Sequence, residues 1–399
     1  MRQFLSSLLS RFFVCLFFLF FSASVSAQIN PVHSAAIQHG LGATPYLDQP
    51  YDLFLSGQYA YVLSYTTHSL TIVDITNPFA PQHKGSLING EGGALLTNPV
   101  SVFVKDNYAY VVSYGNNALE VIDVSDPSSP VHAGSITHGQ GGAILAGCYS
   151  VHVTGNYAFV ASVNSNALEV IDITDPGNPT HAAVLTNVTG GSPAAQLSSA
   201  AFVAVYGDYA YFAGNNAVEI INVKNPLAPV KVGTFIDGTP GAVSTKPTAV
   251  QVVGKYAYVT WGTQTFADFE IIDISNPAAP VHKSSVVSGT GGRTFPWGST
   301  INVSGNYAYV AGSTSNTVWV YNVTDPTNPT FAGSIADGAG GASLIGPRGM
   351  AFSGNYAYVI SFFGKAIEVL DITNPVAPKH KSLLKAGLSG ALASNPLDV

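Results

Sequence analysis

The hydrophobic positions of this chain fall into short runs that return at a long, nearly fixed period. Each period opens on an aromatic anchor, Tyr-Ala-Tyr/Phe-Val/Phe, at Tyr59, Tyr108, Tyr157, Tyr209, Tyr256, Tyr307 and Tyr356, spaced 49, 49, 52, 47, 51 and 49 residues apart. A dipeptide such as Gly57-Gln58, Asp106-Asn107, Gly155-Asn156 or Gly354-Asn355 precedes the anchor. Gly, Asn and Asp tolerate the positive φ of a tight hairpin turn. A second run follows, Leu119-Glu120-Val121-Ile122-Asp123 in the second repeat and Leu70-Thr71-Ile72-Val73-Asp74 in the first. Then comes Asp/Asn-Pro-x-x-Pro, as in Asp126 to Pro130, where Asp with a following Pro suits a type I turn.

This pattern predicts four short strands per repeat. In the second repeat they run over 100–105, 108–114, 118–124 and 131–138. No segment carries helical period or helix caps. Four antiparallel strands repeated seven times predict an all-β fold, a β-propeller of seven four-stranded blades around a central channel. A single blade would leave both faces exposed, and ring packing buries them.

The Leu-x-Val-Ile-Asp run resembles the repeat of the LVIVD family of bacterial and archaeal surface proteins, across essentially all of residues 47–390. Repeat four ends its run in Asn222, repeat five begins it with Phe269, and repeat six reads Val318-Trp319-Val320-Tyr321-Asn322. The resemblance implies an extracellular propeller and no particular reaction.

The two ends leave two readings open. Residues 31–40 read like 130–139, a lone fourth strand, and 391–399 match 94–102, a lone first strand. Either they belong to an incomplete eighth blade formed by the two chain ends, or they pad a ring of seven. Upstream, Arg2 and Arg11, the unbroken apolar run Phe12–Phe21 and the small residues Val25-Ser26-Ala27 read as a cleavable export signal over 1–27. The single propeller domain is then 28–399. The apolar run is too short for a membrane span, which needs about 20 residues.

Composition narrows the partners. Charged residues are 9% of the chain, against roughly 25% in an average soluble protein. Removal of 1–27 takes away Arg2 and Arg11 and no acid, leaving 13 Lys+Arg against 22 Asp+Glu, a net −9. That balance argues against nucleic acid, whose phosphates require a basic footprint. Cys148 is the one cysteine left after cleavage, so no internal disulfide is expected.

Features present in every blade are read as structural, and those that break the symmetry as candidates for function. The Asp series (Asp74, Asp123, Asp172, Asp273, Asp371) is expected to accept backbone N–H bonds at a turn rather than bind calcium. The Glu series (Glu120, Glu169, Glu219, Glu270, Glu368) is expected to make one local bond per blade. Histidines 33, 83, 132, 181, 282 and 380 all start fourth strands at the rim, too far apart to share a metal. The Gly-rich stretches lead into strands, whereas a dinucleotide fingerprint must open a helix. No metal site and no cofactor is therefore predicted.

The asymmetric residues are Trp261, Arg293, Phe295, Trp297, Trp319, Arg348, Phe362 and Lys365, which topology places on the loop face of blades 5–7. Aromatic side chains with Arg on exposed loops favour recognition. The expected function is a secreted or cell-surface, non-enzymatic binding scaffold, a monomer that takes a glycan or protein ligand with those residues. One alternative is a secreted hydrolase with a site at the channel mouth, for which Asp52 and His152 are candidate groups. A pocket joining such groups with strongly perturbed pKa values would favour it. Another is a purely structural module of a larger surface protein.

Overall fold

The computed structural model describes residues 47–186, 197, 201–214, 217–236, 247–262, 267–287 and 298–385. The expected signal segment, both chain-end segments and Arg293, Phe295 and Trp297 lie outside the described residues. The repeat unit is realised in blade 1 as β1 (Pro50–Ser56), β2 (Tyr59–Ser64), β3 (Ser69–Asp74) and β4 (Gln82–Ile88), an antiparallel meander in chain order. Six further four-stranded sheets repeat it among the described residues. In blade 2 the strands span Pro99–Lys105, Tyr108–Ser113, Ala118–Asp123 and Val131–Thr137, within a residue of the sequence-based boundaries.

The two sequence signatures prove to be cross-strand partners. The Tyr anchor that opens each second strand pairs with the Asp or Asn that ends the third, as in Tyr59↔Asp74, Tyr108↔Asp123 and Tyr209↔Asn222. A bulge falls at the same register between third and fourth strands in every blade, for example between Ile72 and Val73 and between Val320 and Tyr321. A bulge increases local twist, which a splayed propeller blade requires. Second and third strands are buried on both faces, because each blade is sandwiched between two others. Their composition is therefore nearly continuously apolar rather than alternating.

Seven first strands line the channel: β1, β5 (Pro99–Lys105), β9 (Cys148–Thr154), β13 (Phe202–Tyr206), β17 (Pro247–Val253), β21 (Gly298–Ser304) and β25 (Pro347–Ser353). Each packs beside the next, and β25 packs beside β1. The ring therefore closes at seven, and an eighth blade has no gap to enter. The closing interface is an apolar cluster of Leu53, Val62 and Val73 from blade 1 with Tyr358, Ile360 and Val369 from blade 7. Burial of each such side chain contributes about 1.5–3 kcal/mol.

The rim is fastened by one position in the fourth strand. At Gly85, Gly134, Gly233 and Gly333 the next blade's Pro turn comes so close that a Cβ could not fit. At Gly233 it would overlap the Pro277 carbonyl oxygen. Where this position is Ser, the hydroxyl donates instead: Ser284 to the Pro326 carbonyl at 2.7 Å and Ser382 to the Pro78 carbonyl at 2.5 Å. The Ser382 bond crosses from blade 7 to blade 1.

Candidate functional site

The repeated polar residues resolve into structural roles. Asp74, Asp123, Asp172, Asp273 and Asp371 each accept the N–H two residues on, at 2.8–2.9 Å. Asn222 and Asn322 do the same at 3.0 and 2.9 Å, which explains why Asn replaces Asp freely there. Glu120, Glu169 and Glu368 are fully buried and more elaborate than one local bond. Each contacts a histidine of its own blade, His132, His181 or His380, at 2.5 Å. Each also accepts a backbone N–H from the connector that enters its blade, from Leu95, Ile144 or Ser343, at 3.0–3.1 Å. Burial pushes all three carboxyls up, against the opposing pull of the histidine and the N–H donor. These connectors share Gly-x-Gly-Gly-Ala, with Gly90, Gly92 and Gly93 at φ 89°, 59° and 101° in the first. The Gly-rich stretches thus serve as the turns that the Glu–His pairs clamp. In blade 4 the pair becomes Glu219 with Lys231 at 3.1 Å.

The symmetry breaks at the channel mouth. There the first residues of the inner strands and the residues just after the second strands converge, from blades 7, 1, 2 and 3. Tyr51 stacks on Tyr65 at 5.5 Å between centroids and meets Phe362 edge-on at 6.0 Å. It also reaches past blade 2, which offers only Val100 here, to hydrogen-bond hydroxyl to hydroxyl with Tyr149. Tyr114 stands edge-on to Tyr149 at 6.4 Å. The guanidinium carbon of Arg348 lies 4.4 Å from the Tyr51 ring centroid and 4.9 Å from that of Phe362. Burial pushes the Tyr51 phenol well above its usual range, with Tyr149 adding to the effect and Arg348 opposing it. It is therefore neutral at any physiological pH.

Below this mouth runs a channel of about 670 Å³. Its wall on blades 1–3 is aromatic, with Phe54 4.6 Å from Phe103 and Phe103 4.7 Å from His152. Its wall on blades 5 and 6 is polar, with Thr248, Gln251, Thr300 and Asn302. The carbonyl of Gln251 accepts the Val303 N–H at 2.5 Å and that of Asn302 accepts the Thr300 hydroxyl at 3.2 Å. Their NH₂ groups are the ends left to serve as donors. Asp52 and His152 line the same channel. Burial raises the Asp52 carboxyl to about 6 and lowers the His152 imidazole to about 4. The Asp52 oxygens are taken up by the Leu53 and Val102 N–H groups, both at 2.9 Å. The carboxylate joins β1 to β5, as Ser101 and Ser150 do between the next two pairs of blades.

Of the residues the sequence nominated, the structure brings Arg348 and Phe362 together. Lys365 pairs with Asp48 at 2.8 Å beside that loop, at φ 53° where blades 2, 3 and 6 use Asn. Trp261 is placed differently from the expectation. It is only 1% exposed, filling space between blades 4 and 5 next to Phe235. Trp319 is half-buried against the core between blades 5 and 6, with its indole N–H 3.4 Å from the Ser315 hydroxyl. Sequence reasoning missed Tyr51, Tyr65, Tyr114 and Tyr149. Their signal was available, since Tyr51 and Tyr149 share one repeat position with Arg348, and Tyr65 and Tyr114 share another with Phe362.

Seven four-stranded blades around a channel, with aromatic side chains of blades 7, 1, 2 and 3 at one mouth, define a seven-bladed β-propeller. The LVIVD repeat model matches residues 50–88, 99–138, 148–186, 199–237, 246–288, 298–337 and 348–383, and the chain belongs to that family. No curated protein matches it. Among solved structures it is similar to a hydrazine synthase of Kuenenia stuttgartiensis (14% identity, 84% of this chain and 98% of that one, TM-score 0.64). It is similar also to a functionally unknown protein of Desulfotomaculum acetoxidans (15%, 84% and 99%, TM-score 0.61). A third is a periplasmic gluconolactonase of Pseudomonas aeruginosa (14%, 72% and 86%, TM-score 0.56). At these identities the likeness is one of fold. Among the described residues, no helix is long and apolar enough to cross a membrane, and no group of three His, Cys, Asp or Glu stands close enough to hold a metal ion.

Proposed function

We propose that this protein is an exported, non-enzymatic binding propeller that takes a glycan at the mouth of its channel. One observation carries the reading: the channel is aromatic on one side and lined with amides and hydroxyls on the other. A sugar ring has the same division, with an apolar C–H face that stacks on aromatic rings and an equatorial belt that hydrogen-bonds. Arg293, Phe295 and Trp297 lie outside the described residues and are kept as proposed ligand contacts on their sequence pattern alone. Export rests on the leader-like residues 1–27.

The gluconolactonase likeness and the shared channel position of Asp52 and His152 favour a second reading, a hydrolase. The engagement of both Asp52 oxygens with backbone N–H groups speaks for binding instead, because it removes the candidate base from service. The test is titration of the purified protein against an oligosaccharide panel, with Tyr51→Ala and Tyr149→Ala beside the wild type. Loss of at least about tenfold in affinity, with unchanged circular dichroism, is expected for each ring removed. Turnover of a lactone or ester that disappears in both Asp52→Ser and His152→Phe would establish the hydrolase instead.

A further inference from the structure

The proposal that follows rests on the mouth being a binding site and names the chemistry of its ligand. Arg348 is the observation. Among the described residues its guanidinium has two aromatic neighbours and no hydrogen bond or ion pair. Half-buried arginines are ordinarily held by carboxylates or carbonyls, because desolvation of the cation is otherwise uncompensated. The Tyr51 and Phe362 rings stand at 77° to one another, so at most one of them lies flat on the guanidinium, and neither ring accepts its N–H groups as a carboxylate would. The five N–H donors of a guanidinium lie in its plane and point out from the edge, in a fork that matches a carboxylate.

The surroundings leave that fork unopposed. Asp52 has both oxygens occupied by N–H groups, and Asp48 pairs with Lys365 at 2.8 Å. Tyr51 is held neutral by burial, so it offers the cation no countercharge. The Lys365–Asp48 pair beside the same loop is neutral overall, so the guanidinium of Arg348 is left without a countercharge there. Farther down, the NH₂ groups of Gln251 and Asn302 present donors rather than acceptors. A chain of net −7 overall thus presents an unpaired guanidinium and amide donors at this mouth. That arrangement favours entry of an anion and penalises a cation.

We infer that the ligand is an acidic glycan, a saccharide bearing a uronate carboxylate, and that Arg348 receives that carboxylate while Tyr51 and Phe362 flank the guanidinium. The aromatic wall selects a sugar over a bare acid, and the guanidinium selects a uronate over a neutral hexose.

The experiment uses the full protein and three probes: oligogalacturonate, oligoglucuronate and alginate oligomers, each against its own methyl ester, by isothermal titration. At least one acid is expected to bind about 30-fold or more tightly than its ester, with affinity that falls as NaCl rises from 50 to 500 mM, roughly as a single ion pair does. In Arg348→Gln the preference for acid over ester should collapse to within about twofold. In Phe79→Ala, at the rim, it should persist. A peptide with a C-terminal Glu tests the source of the carboxylate, and binding of that peptide as tightly as the best uronate would overturn the sugar assignment. Equal binding of acids and esters by the wild type would overturn the role of Arg348 while leaving a glycan site in place, and that comparison requires no variant to fold. If none of the saccharides bound, both this inference and the glycan reading beneath it would fall.

Discussion

Two buried groups in the channel wall titrate in opposite senses, and their opposition has a measurable consequence. Burial raises Asp52 to about 6, so the folded state holds its proton more tightly than the unfolded chain does. The stability this contributes is complete below the unfolded value near 4 and is lost as pH rises through about 6. Burial lowers His152 to about 4, so the unfolded chain takes up the proton first on acidification. That contribution is complete above about 6.5 and is lost as pH falls through about 4. Each limb corresponds to about 3 kcal/mol, and between pH 4 and 6 they offset one another. Asp52→Ser borrows the residue that blades 2 and 3 use and keeps one acceptor for the Val102 N–H. It should expose the histidine limb, with stability dropping steeply from pH 6.5 to 4. His152→Phe borrows the residue of blades 1 and 2 and should expose the opposite limb, with stability dropping from pH 4 to 6. Urea unfolding followed by tryptophan fluorescence across this range checks both. Curves parallel to the wild type would mean that burial does not perturb these groups as described.

At the level of strands and connectors, the molecule is held by contacts that each blade makes with its neighbour. Gly233→Ala should destabilise by about 1–3 kcal/mol, because its Cβ meets the Pro277 carbonyl and the turn must retreat. Ser284→Ala should cost only about 1 kcal/mol, the ordinary worth of one hydrogen bond. Differential scanning calorimetry should rank the two in that order. Glu120→Ala should free the Leu95 amide, seen as faster hydrogen exchange at the connector before blade 2, with the equivalent Ile144 amide unchanged. Much of this scale was readable in the chain. The Tyr anchors and the Asp-ended runs mark the second hairpin of every blade, since the two are opposite one another in register. The constant twelve-residue offset of Glu120 to His132, Glu169 to His181 and Glu368 to His380 was equally present, but the two series look unrelated until strand pairing sets them side by side. Trp261 misled because volume alone does not distinguish an indole that recognises a ligand from one that fills the gap between two blades. The mouth tyrosines were obscured by number, being four among 20.

For the whole molecule the decisive arrangement is the junction of blades 7 and 1. Every blade takes its four strands from consecutive sequence, so no strand is exchanged where the ring closes. Among the described residues six junctions are also spanned by the chain, and this one is joined by an apolar cluster, the Ser382 bond and the Lys365–Asp48 pair. The aromatic mouth straddles that same junction, with Tyr51 on one side and Arg348 and Phe362 on the other. In mechanical terms the ring is a strap with a single buckle, and a molecule bound against both Tyr51 and Arg348 lies across it. Occupancy then carries part of the force across the junction. The force needed to part the two blades, pulled from handles at Phe79 and Lys381 replaced by cysteine, should climb with ligand saturation. Handles set across the junction of blades 2 and 3 should register no change. A propeller built this way converts the chemistry at its mouth into resistance to being opened.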